Sequence, residues 1–572
     1  MQKIELKQSY DVVIIGAGVG GLTAAALLSK VGFSVCVLER EPHVGGYLAG
    51  FRRKHFRFDT AIHWLNQCMP GGMAAKIFDI LGSDHPWAIP QKKIKRYKGD
   101  DYEYLLTDNP DDLKKQWQQE FPEDKEGIER FFKDAKTLGR AFANFGHIFR
   151  SEETMGFFEK LHNKRNLLKF GLPFIKHLRF SGEEGIKKGL RKYFKNEKLQ
   201  RVFSADTELL SCLVPIGWAY FGDYQSPPKG GGQVIPEWMQ HIVEFYGNQV
   251  FFRCSVDKIL LEGNTAKGVK FNCRGTDFEV QSHYVIAACD VEMLYNKMLP
   301  LNTISEKFRS KLSDAELYSS SVTVSIALDC PAEDLGFGEE FIHISSEKVS
   351  RAEHTGGDPW KSEISILAPS QRDKSLAPAG CGTLTLFMPA YMNFKENWLT
   401  ESDGEGNYIR NDAYRELKHQ IADALIERVE KLLAPGLRKH ILFYDVATPV
   451  THWRYTGNKN GTMMGAKPGR KNMQGKVAHY KTPIHNLYLG GHWAELGGGV
   501  PIAVKAGTNA VLLILQKEKP NVFKVLSKYM DGKISAETLL TSGLFLAYDN
   551  SWKQALTPAQ KLLLRQENTK GN

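Results

Sequence analysis

Val12-Val13-Ile14-Ile15-Gly16-Ala17-Gly18-Val19-Gly20-Gly21 is the stretch that decides the fold of this chain. The four apolar residues predict a buried parallel strand, and the small-residue run Thr23 to Leu28 predicts the helix that follows. Gly16, Gly18 and Gly21 have the G-x-G-x-x-G spacing, which combines a tight turn, close approach of a pyrophosphate and close packing of helix on strand. The stretch therefore predicts a dinucleotide held at a helix N-terminus.

A second predicted strand, Ser34 to Leu38, ends at Glu39. An acid about 20 residues beyond the glycines suits a ribose 2'-hydroxyl and disfavours the phosphorylated ribose of NADP. Glu39-Arg40 is followed closely by Gly45-Gly46, which taken alone is an ordinary turn.

Composition bounds the class of protein. With 572 residues and a mean hydropathy of −0.34, the chain is globular and long enough for two or three domains. No apolar run reaches spanning length and the first ten residues lack a secretory core, so a cytoplasmic location is the default expectation. The eight cysteines contain no C-x-x-C pair, which predicts buried thiols and neither a disulfide framework nor a metal site.

The segment from about Pro110 to Tyr224 is helical, charged and aromatic in pattern. Leu167, Phe170, Phe174 and Leu178 share one helical face, and Pro173 is expected to kink or break that helix. Basic residues across 164–195 suggest peripheral membrane contact, with a solvated helix face as the alternative. Nucleic acid binding is not expected, because the net charge of +10 comes with no recognition motif.

Near the other end, the predicted strand Leu487 to Leu489 leads into Gly490-Gly491-His492-Trp493-Ala494-Glu495-Leu496-Gly497-Gly498-Gly499-Val500-Pro501. A predicted helix, Ile502 to Gln516, follows. Glycines at 497–499 would let a backbone approach a ring, while a flexible loop is the alternative.

Three segments, Gly16 to Gly46, Pro228 to Asp290 and Thr448 to Gln516, resemble the FAD-dependent carotenoid and retinoid oxidoreductases: phytoene desaturase, carotenoid isomerase and retinol saturase. The resemblance implies an α/β fold, a Rossmann-type FAD-binding domain of the glutathione reductase-like, amine oxidase and phytoene desaturase group with an inserted α+β substrate domain. FAD is the cofactor it implies. The positions it assigns to FAD are Gly16, Gly18, Gly21, Glu39, Arg40, Gly45, Gly46, Val256, Gly491, His492, Gly499, Val500 and Ile502.

His492 departs from the family pattern, which usually has an aspartate after the glycine. The candidate catalytic residues are His63, which follows an aromatic-Asp pair near the expected flavin, and Glu495. A histidine satisfied by the backbone and a structural glutamate are the alternatives.

The resemblance divides the chain into six parts. They are an FAD-binding domain in three pieces (1–109, 226–298 and 478–516), a helical insertion that faces substrate or membrane (110–225), a substrate domain (299–477) and a C-terminal extension (517–572). No oligomeric state is predicted.

The function it implies is hydride exchange between flavin N5 and a long apolar polyene, as desaturase, saturase or cis/trans isomerase. Two alternatives remain open: an amine oxidase-like enzyme acting on a soluble amine, and a non-catalytic flavin- or lipid-binding protein.

Overall fold

The computed structural model describes residues 6–83, 85–144, 149–346, 348–404 and 406–548. The strands, in chain order, are β1 (Ser9–Ile15), β2 (Val35–Glu39), β3 (Gly50–Arg53), β4 (Phe56–Asp59), β5 (Ile89–Pro90), β6 (Lys93–Lys98), β7 (Glu103–Thr107), β8 (Gln225–Ser226), β9 (Gln249–Phe252), β10 (Cys254–Glu262), β11 (Thr265–Cys273), β12 (Thr276–Ala287), β13 (Ser320–Leu328), β14 (Phe341–Ile344), β15 (Ile364–Leu367), β16 (Gly382–Ala390), β17 (Glu401–Ser402), β18 (Tyr408–Ile409), β19 (Ile441–Ala447) and β20 (Leu487–Leu489).

The α-helices, in the same order, are α1 (Val19–Lys30), α2 (Met73–Leu81), α3 (Pro110–Glu120), α4 (Lys125–Ala143), α5 (Phe157–Leu178), α6 (Gly182–Arg191), α7 (Glu197–Arg201), α8 (Leu209–Tyr220), α9 (Val234–Phe245), α10 (Val291–Met293), α11 (Glu306–Ser313), α12 (Arg351–His354), α13 (Pro369–Arg372), α14 (Lys395–Trp398), α15 (Asp412–Leu432), α16 (Pro449–Thr456), α17 (Arg470–Gly475), α18 (Val500–Glu518), α19 (Pro520–Met530) and α20 (Ala536–Leu540).

The first sheet contains the predicted strand–turn–helix. Parallel pairing places β9, β2, β1, β12 and β20 side by side, and β10 and β11 extend the sheet beyond β12 as an antiparallel meander. The apolar residues of β1 and β2 are almost entirely buried, as expected for a parallel sheet covered on both faces. This arrangement confirms the predicted Rossmann-type α/β fold.

Strand β12 is one long strand that pairs with β11 near its start and with β1 and β20 near its end. One detail of this sheet differs from the sequence analysis. Cys254 and Cys273, expected to be free thiols, form a disulfide, because the antiparallel register of β10 and β11 places them directly opposite each other.

The second sheet has the strand order β19-β13-β16-β15-β14-β6-β7. Its central strands alternate, with one face apolar and packed against α15 and the other face carrying small polar and aromatic side chains. Residues 93–107, grouped with the nucleotide-binding part in the sequence analysis, lie in this sheet because β6 pairs with β14. That pairing joins residues about 245 positions apart, which no local pattern could indicate.

The segment from α3 to α8 forms a helical unit with its own aromatic core around Trp117. Helix α5 continues through Pro173 to Leu178, so the expected break does not occur. None of the helices in the described ranges is both long enough and apolar enough to cross a membrane.

The C-terminal extension, as far as residue 548, packs against helices α1, α2 and α18 beside the first sheet. Val522, Leu526, Leu539 and Phe545 join the first core, and Tyr529 Oη donates a hydrogen bond to Lys76 O at 2.7 Å. The part of the predicted extension from 549 to 572 lies outside the described residues.

Candidate functional site

The glycine loop between β1 and α1 has the geometry that its spacing predicts. Gly16 has a φ of 99°, and a Cβ added to Gly21 would stand 2.1 Å from Gly16 O. A Cβ added to Gly18 would instead meet no described atom within 4 Å. Helix α1 begins at Val19 with no acidic residue in its first turn, so its N-terminus stays open to an anion.

Glu39 lies at the end of β2 and reaches this loop. Its Oε2 accepts a hydrogen bond from Ala17 N at 2.7 Å and its Oε1 accepts one from Glu41 N at 2.8 Å. A carboxylate offers about four acceptor positions, so lone pairs remain for ribose hydroxyls. The adjacent Arg40 donates a hydrogen bond from Nη2 to Arg454 O at 3.0 Å.

Gly45 and Gly46 pack directly against the loop. Gly45 N donates to Ala17 O at 2.9 Å, and a Cβ added to Gly46 would stand 3.4 Å from Gly18 Cα. Both residues have positive φ, 125° and 56°. The pair is therefore part of the same surface as the first glycines and is more than an isolated turn.

Val256 is buried in β10, near the start of this strand, which lies close to the residues that follow Glu39. Arg253 N donates to Glu41 O at 3.2 Å, which holds the start of the strand beside the residues that follow Glu39. This position is on the adenosine side of the predicted dinucleotide site.

The segment near the other end of the chain returns to the same place. A Cβ added to Gly20 would stand 2.5 Å from Gly490 O, and one added to Gly507 would stand 2.2 Å from Gly20 O, so α18 crosses α1 at close backbone contact. Gly491 packs on the backbone of Ala288. The two ends of the chain thus build one site.

Helix α18 begins at Val500, after Gly499 with a φ of 87°. Its first turn, which includes Ile502, carries no acidic side chain, so the positive end of its dipole is not neutralised within the helix.

His492 lies in the turn between β20 and α18. Its Nε2 is buried without a hydrogen-bond partner among the described residues, and burial lowers the pKa of His492 to about 4. The imidazole is therefore neutral at physiological pH and does not reproduce the charge of the aspartate found in similar proteins.

These observations fit a bound dinucleotide. Gly18 leaves open space where a pyrophosphate would lie, Glu39 has free lone pairs, and the buried His492 Nε2 has a hydrogen bond to make. Leaving such a buried polar atom unpaired costs free energy, which a ligand partner would recover.

His63 lies between β4 and α2, where its ring stacks on Phe387 of β16 with centroids 3.9 Å apart. Arg372 Nη1 donates to His63 O at 2.8 Å. Burial, with Arg372 and His452 nearby, lowers the pKa of His63 to about 3. The ring is therefore a neutral part of an aromatic wall at physiological pH.

This wall is connected to the glycine loop. Tyr47, which follows Gly46, lies with its ring centroid 6.1 Å from that of His452, and Tyr47 Oη donates to Thr462 O at 2.6 Å. His452 Nε2 lies 3.4 Å from Ser321 Oγ on the polar face of the second sheet.

Phe387, Arg372 and His452 were not singled out in the sequence analysis. The strand pattern held a usable signal for Phe387, because it alternates with the buried Leu386 and Met388 and so must face the opposite side of the sheet. Thr323, Phe387, Ser365 and His343 lie in register on that face.

Glu495 is tied to structural partners. Its carboxylate pairs with Lys505 Nζ at 3.0 Å and accepts a hydrogen bond from Tyr480 Oη. The side chains of Glu495 and Lys505 are only 19% and 10% exposed. Such a pair fixes the loop before α18 to the helix itself.

Two other features lie apart from these residues. Asp329, Cys330 and His440 bring possible metal-ligand atoms within 4.8 Å of one another, but His440 Nδ1 already hydrogen-bonds Asp329 Oδ1 at 2.9 Å. A cavity of about 330 Å³ is lined by residues including Phe308, Leu312 and Val477, none of which belongs to the predicted site.

The chain was compared with known proteins. Residues 14–81 match the NAD(P)-binding Rossmann-like domain family. An all-trans-retinol 13,14-reductase of Danio rerio is 24% identical over 571 residues, covering 93% of this chain and 90% of the relative. A chloroplastic prolycopene isomerase of an Oncidium hybrid is 27% identical over 527 residues, covering 87% and 82%. A 4,4'-diapophytoene desaturase of a Methylomonas species is 22% identical over 538 residues, covering 90% and 97%.

Among solved structures, a putrescine oxidase with bound putrescine superposes with a TM-score of 0.55 at 15% identity, covering 89% of this chain and 99% of that one. This likeness shows the fold. The fold and its glycine-lined site define a protein with a Rossmann-like dinucleotide-binding domain, and its relatives mark it as an oxidoreductase-type enzyme. The chain is related over most of its length to carotenoid- and retinoid-modifying oxidoreductases, which confirms the resemblance drawn from its motifs.

Proposed function

We propose that this protein is an FAD-dependent oxidoreductase that acts on a long apolar polyene of the carotenoid or retinoid class, as desaturase, saturase or isomerase. The observation that carries the proposal is the aromatic wall formed by His63 and Phe387. His452, which is near enough to His63 to help lower its pKa, lies beside Tyr47, the residue that follows Gly46. A flat, uncharged wall suits an extended conjugated chain, which presents a π-face and few polar groups. Relatives named for retinol, prolycopene and diapophytoene support this substrate class.

FAD would be held by residues from both ends of the chain. The open N-terminus of α1 and the space beside Gly18 would take the pyrophosphate, and Glu39 would accept hydrogen bonds from the ribose. The unneutralised N-terminus of α18 would stabilise negative charge near Val500 and Ile502. When bound, FAD supplies hydride exchange at flavin N5, the chemistry that side chains alone lack.

The protein's own side chains would orient the substrate and keep water away from it. The ring of His63 is neutral near pH 7, because burial lowers its pKa to about 3, so it is a weak base with no imidazolium form to act as an acid, and its role is to position the substrate by stacking. Trp64 and Phe341 extend the wall, with ring centroids 5.4 Å apart. Buried aromatic surfaces of this kind exclude water from the reacting bond.

The cofactor and the substrate class are tested together on purified protein. We expect stoichiometric FAD after reconstitution, no hydrogen peroxide from a panel of soluble amines in air, and turnover of polyenes. Peroxide from amines with no change in any polyene would establish the amine oxidase alternative. Failure to take up flavin would overturn the proposal altogether.

A further inference from the structure

Helix α5 carries apolar side chains on two opposite sides. Phe170 and Phe174 turn inward, each with its ring centroid within 6 Å of Phe142 of α4: 5.7 Å and 5.3 Å. Asn163 and His177 are buried on the same side. This inner side includes two of the four residues that the sequence analysis placed on one face.

The opposite side bears what we call the exposed stripe, which the sequence analysis missed. Its members recur at intervals of three, four or seven residues, the spacing that places side chains on one helical face. They are Phe157 (78% exposed), Leu161 (62%), Leu168 (60%), Leu172 (55%) and Ile175 (57%). The adjacent Phe158 is 82% exposed and Leu178 is 60% exposed. So large a contiguous apolar surface marks an interaction site on a folded protein.

Basic residues flank the exposed stripe on both sides. At about 100° of rotation per residue, Lys160 and Lys164 lie along one border, and Arg165 and Lys169 lie along the other; all four are exposed. Glu159 is the one acidic residue of the helix, and it is paired with Arg150 at 2.9 Å. An amphipathic helix with an apolar stripe between basic borders matches the interface of a membrane with anionic headgroups.

We infer that α5 docks this protein on an anionic lipid surface, with the exposed stripe inserted among the acyl chains and the basic borders at the headgroups. The helix has 22 residues and, at about 1.5 Å per residue, lies roughly 33 Å along the surface. A second copy of the chain is a poorer occupant, because self-association would bring the two sets of basic borders together.

Docking would place the start of an aromatic row behind α5, on the side of the helix that faces away from the lipid. The row runs from the inner side of α5 to the proposed active-site wall through neighbouring rings 5.3 to 6.4 Å apart. In order, its members are Phe174, Phe142, Trp218, Tyr224, Trp64 and His63. Delivery of an apolar substrate along this row rests on the proposed function, whereas docking does not.

Docking is tested by flotation of the full chain with vesicles of phosphatidylcholine, with and without phosphatidylglycerol. We expect the wild type to float with the anionic vesicles. The double variant Leu168→Glu/Leu172→Glu should remain at the bottom with an unchanged melting temperature. The matched control Leu301→Glu/Leu442→Glu, which adds the same charge at sites 66% and 49% exposed, should float like the wild type.

The basic borders are tested with Lys164→Gln/Arg165→Gln/Lys169→Gln. Each lost charge should weaken partitioning to anionic vesicles by about fivefold, since one basic residue near such a surface contributes about 1 kcal/mol. Leu168→Trp supplies a readout independent of the charged variants: its fluorescence should shift to the blue with anionic vesicles and be quenched by brominated lipid.

Three results would overturn docking. The first is a wild type found wholly at the bottom of the gradient, and the second is a stripe variant that floats as well as the wild type. A wild-type dimer that becomes monomeric in the stripe variant, without vesicle binding, would assign the stripe to a second copy. Turnover of a polyene in detergent micelles is the separate check of the proposed function: it should survive in the stripe variant, while turnover of vesicle-held polyene should fall.

Discussion

The ring of His63 lies flat on the ring of Phe387, with centroids 3.9 Å apart and planes 4° from parallel. The two residues are 324 positions apart and come from different parts of the fold, since His63 precedes α2 and Phe387 belongs to the second sheet. Their contact joins the segment between β4 and α2 to the second sheet, at the wall we assign to the polyene.

This stack makes the stability of the protein depend on pH. The pKa of His63 is lowered to about 3 in the folded state, mainly by burial, from about 6.5 in the unfolded chain. Below about pH 6.5 the unfolded state therefore binds one proton more than the folded state. The free energy of unfolding falls by about 1.4 kcal/mol for each unit that the pH is lowered from there towards about 3.

His63→Phe keeps an aromatic ring and removes this titration. Relative to wild type, its free energy of unfolding should rise by about 2 kcal/mol between about pH 8 and about pH 5. Denaturant titration at both pH values measures the change, and the difference at about pH 8 isolates the packing cost. If the two proteins had parallel profiles of stability against pH, the pKa of His63 would be the same in the folded and unfolded states, which would contradict this account.

Gly18→Ala tests the dinucleotide site without disturbing the fold. An added Cβ meets no described atom within 4 Å, so the cofactor-free protein should keep its melting temperature. FAD affinity should fall by about tenfold or more, because the methyl group occupies space needed by the pyrophosphate. Gly171→Ala, also into open space but on α5, is the matched control. Equal FAD affinity in both variants would place the pyrophosphate elsewhere.

Glu39→Gln tests the ribose contact. Glutamine keeps the size of the side chain but loses the charged acceptor, and hydrogen bonds to charged groups contribute about 1.5–3 kcal/mol. FAD affinity measured by fluorescence quenching should therefore fall about ten- to a hundredfold. Glu41→Gln, two residues further along, should leave the affinity within about twofold. An equal loss in both variants would indicate a general charge effect.

Glu495→Gln separates a structural role from a catalytic one. The substitution removes the ion pair of Glu495 with Lys505 Nζ, which is 3.0 Å long and largely buried, so the free energy of unfolding should fall by about 1.5–3 kcal/mol. Adding Lys505→Met should restore part of this loss, as a double-mutant cycle measures. Unchanged stability with abolished turnover would instead support the catalytic assignment.

Sequence reasoning predicted the strand, the glycine loop and the helix at the start of the chain because their signals are local. The run of four apolar residues, the glycine at 16 that has positive φ and the acid at 39 all fall within about 28 positions. Helix α18 was predictable for the same reason, since glycines precede it and its own sequence is largely apolar.

The features that the sequence did not predict depend on contacts between residues far apart in the chain. Strand β14 has four residues and acquires its place in the sheet from β6, far earlier in the chain. The stack of His63 on Phe387 follows from that same assembly. The exposed stripe of α5 was not predicted for another reason. When a helix has apolar residues on two sides, the sequence periodicity does not show which side is buried against the protein.

The most direct test of the proposed chemistry is anaerobic incubation of the FAD-loaded protein with a panel of carotenoids and retinoids, following flavin absorbance near about 450 nm and product mass. The proposal predicts that at least one polyene is converted: a loss of about two mass units means desaturation, a gain of about two means saturation from reduced flavin, and an unchanged mass with altered retention means isomerisation. The proposal would be contradicted if flavin loaded in its oxidised form stayed oxidised with every polyene, and if no new product formed with either oxidised or prereduced flavin.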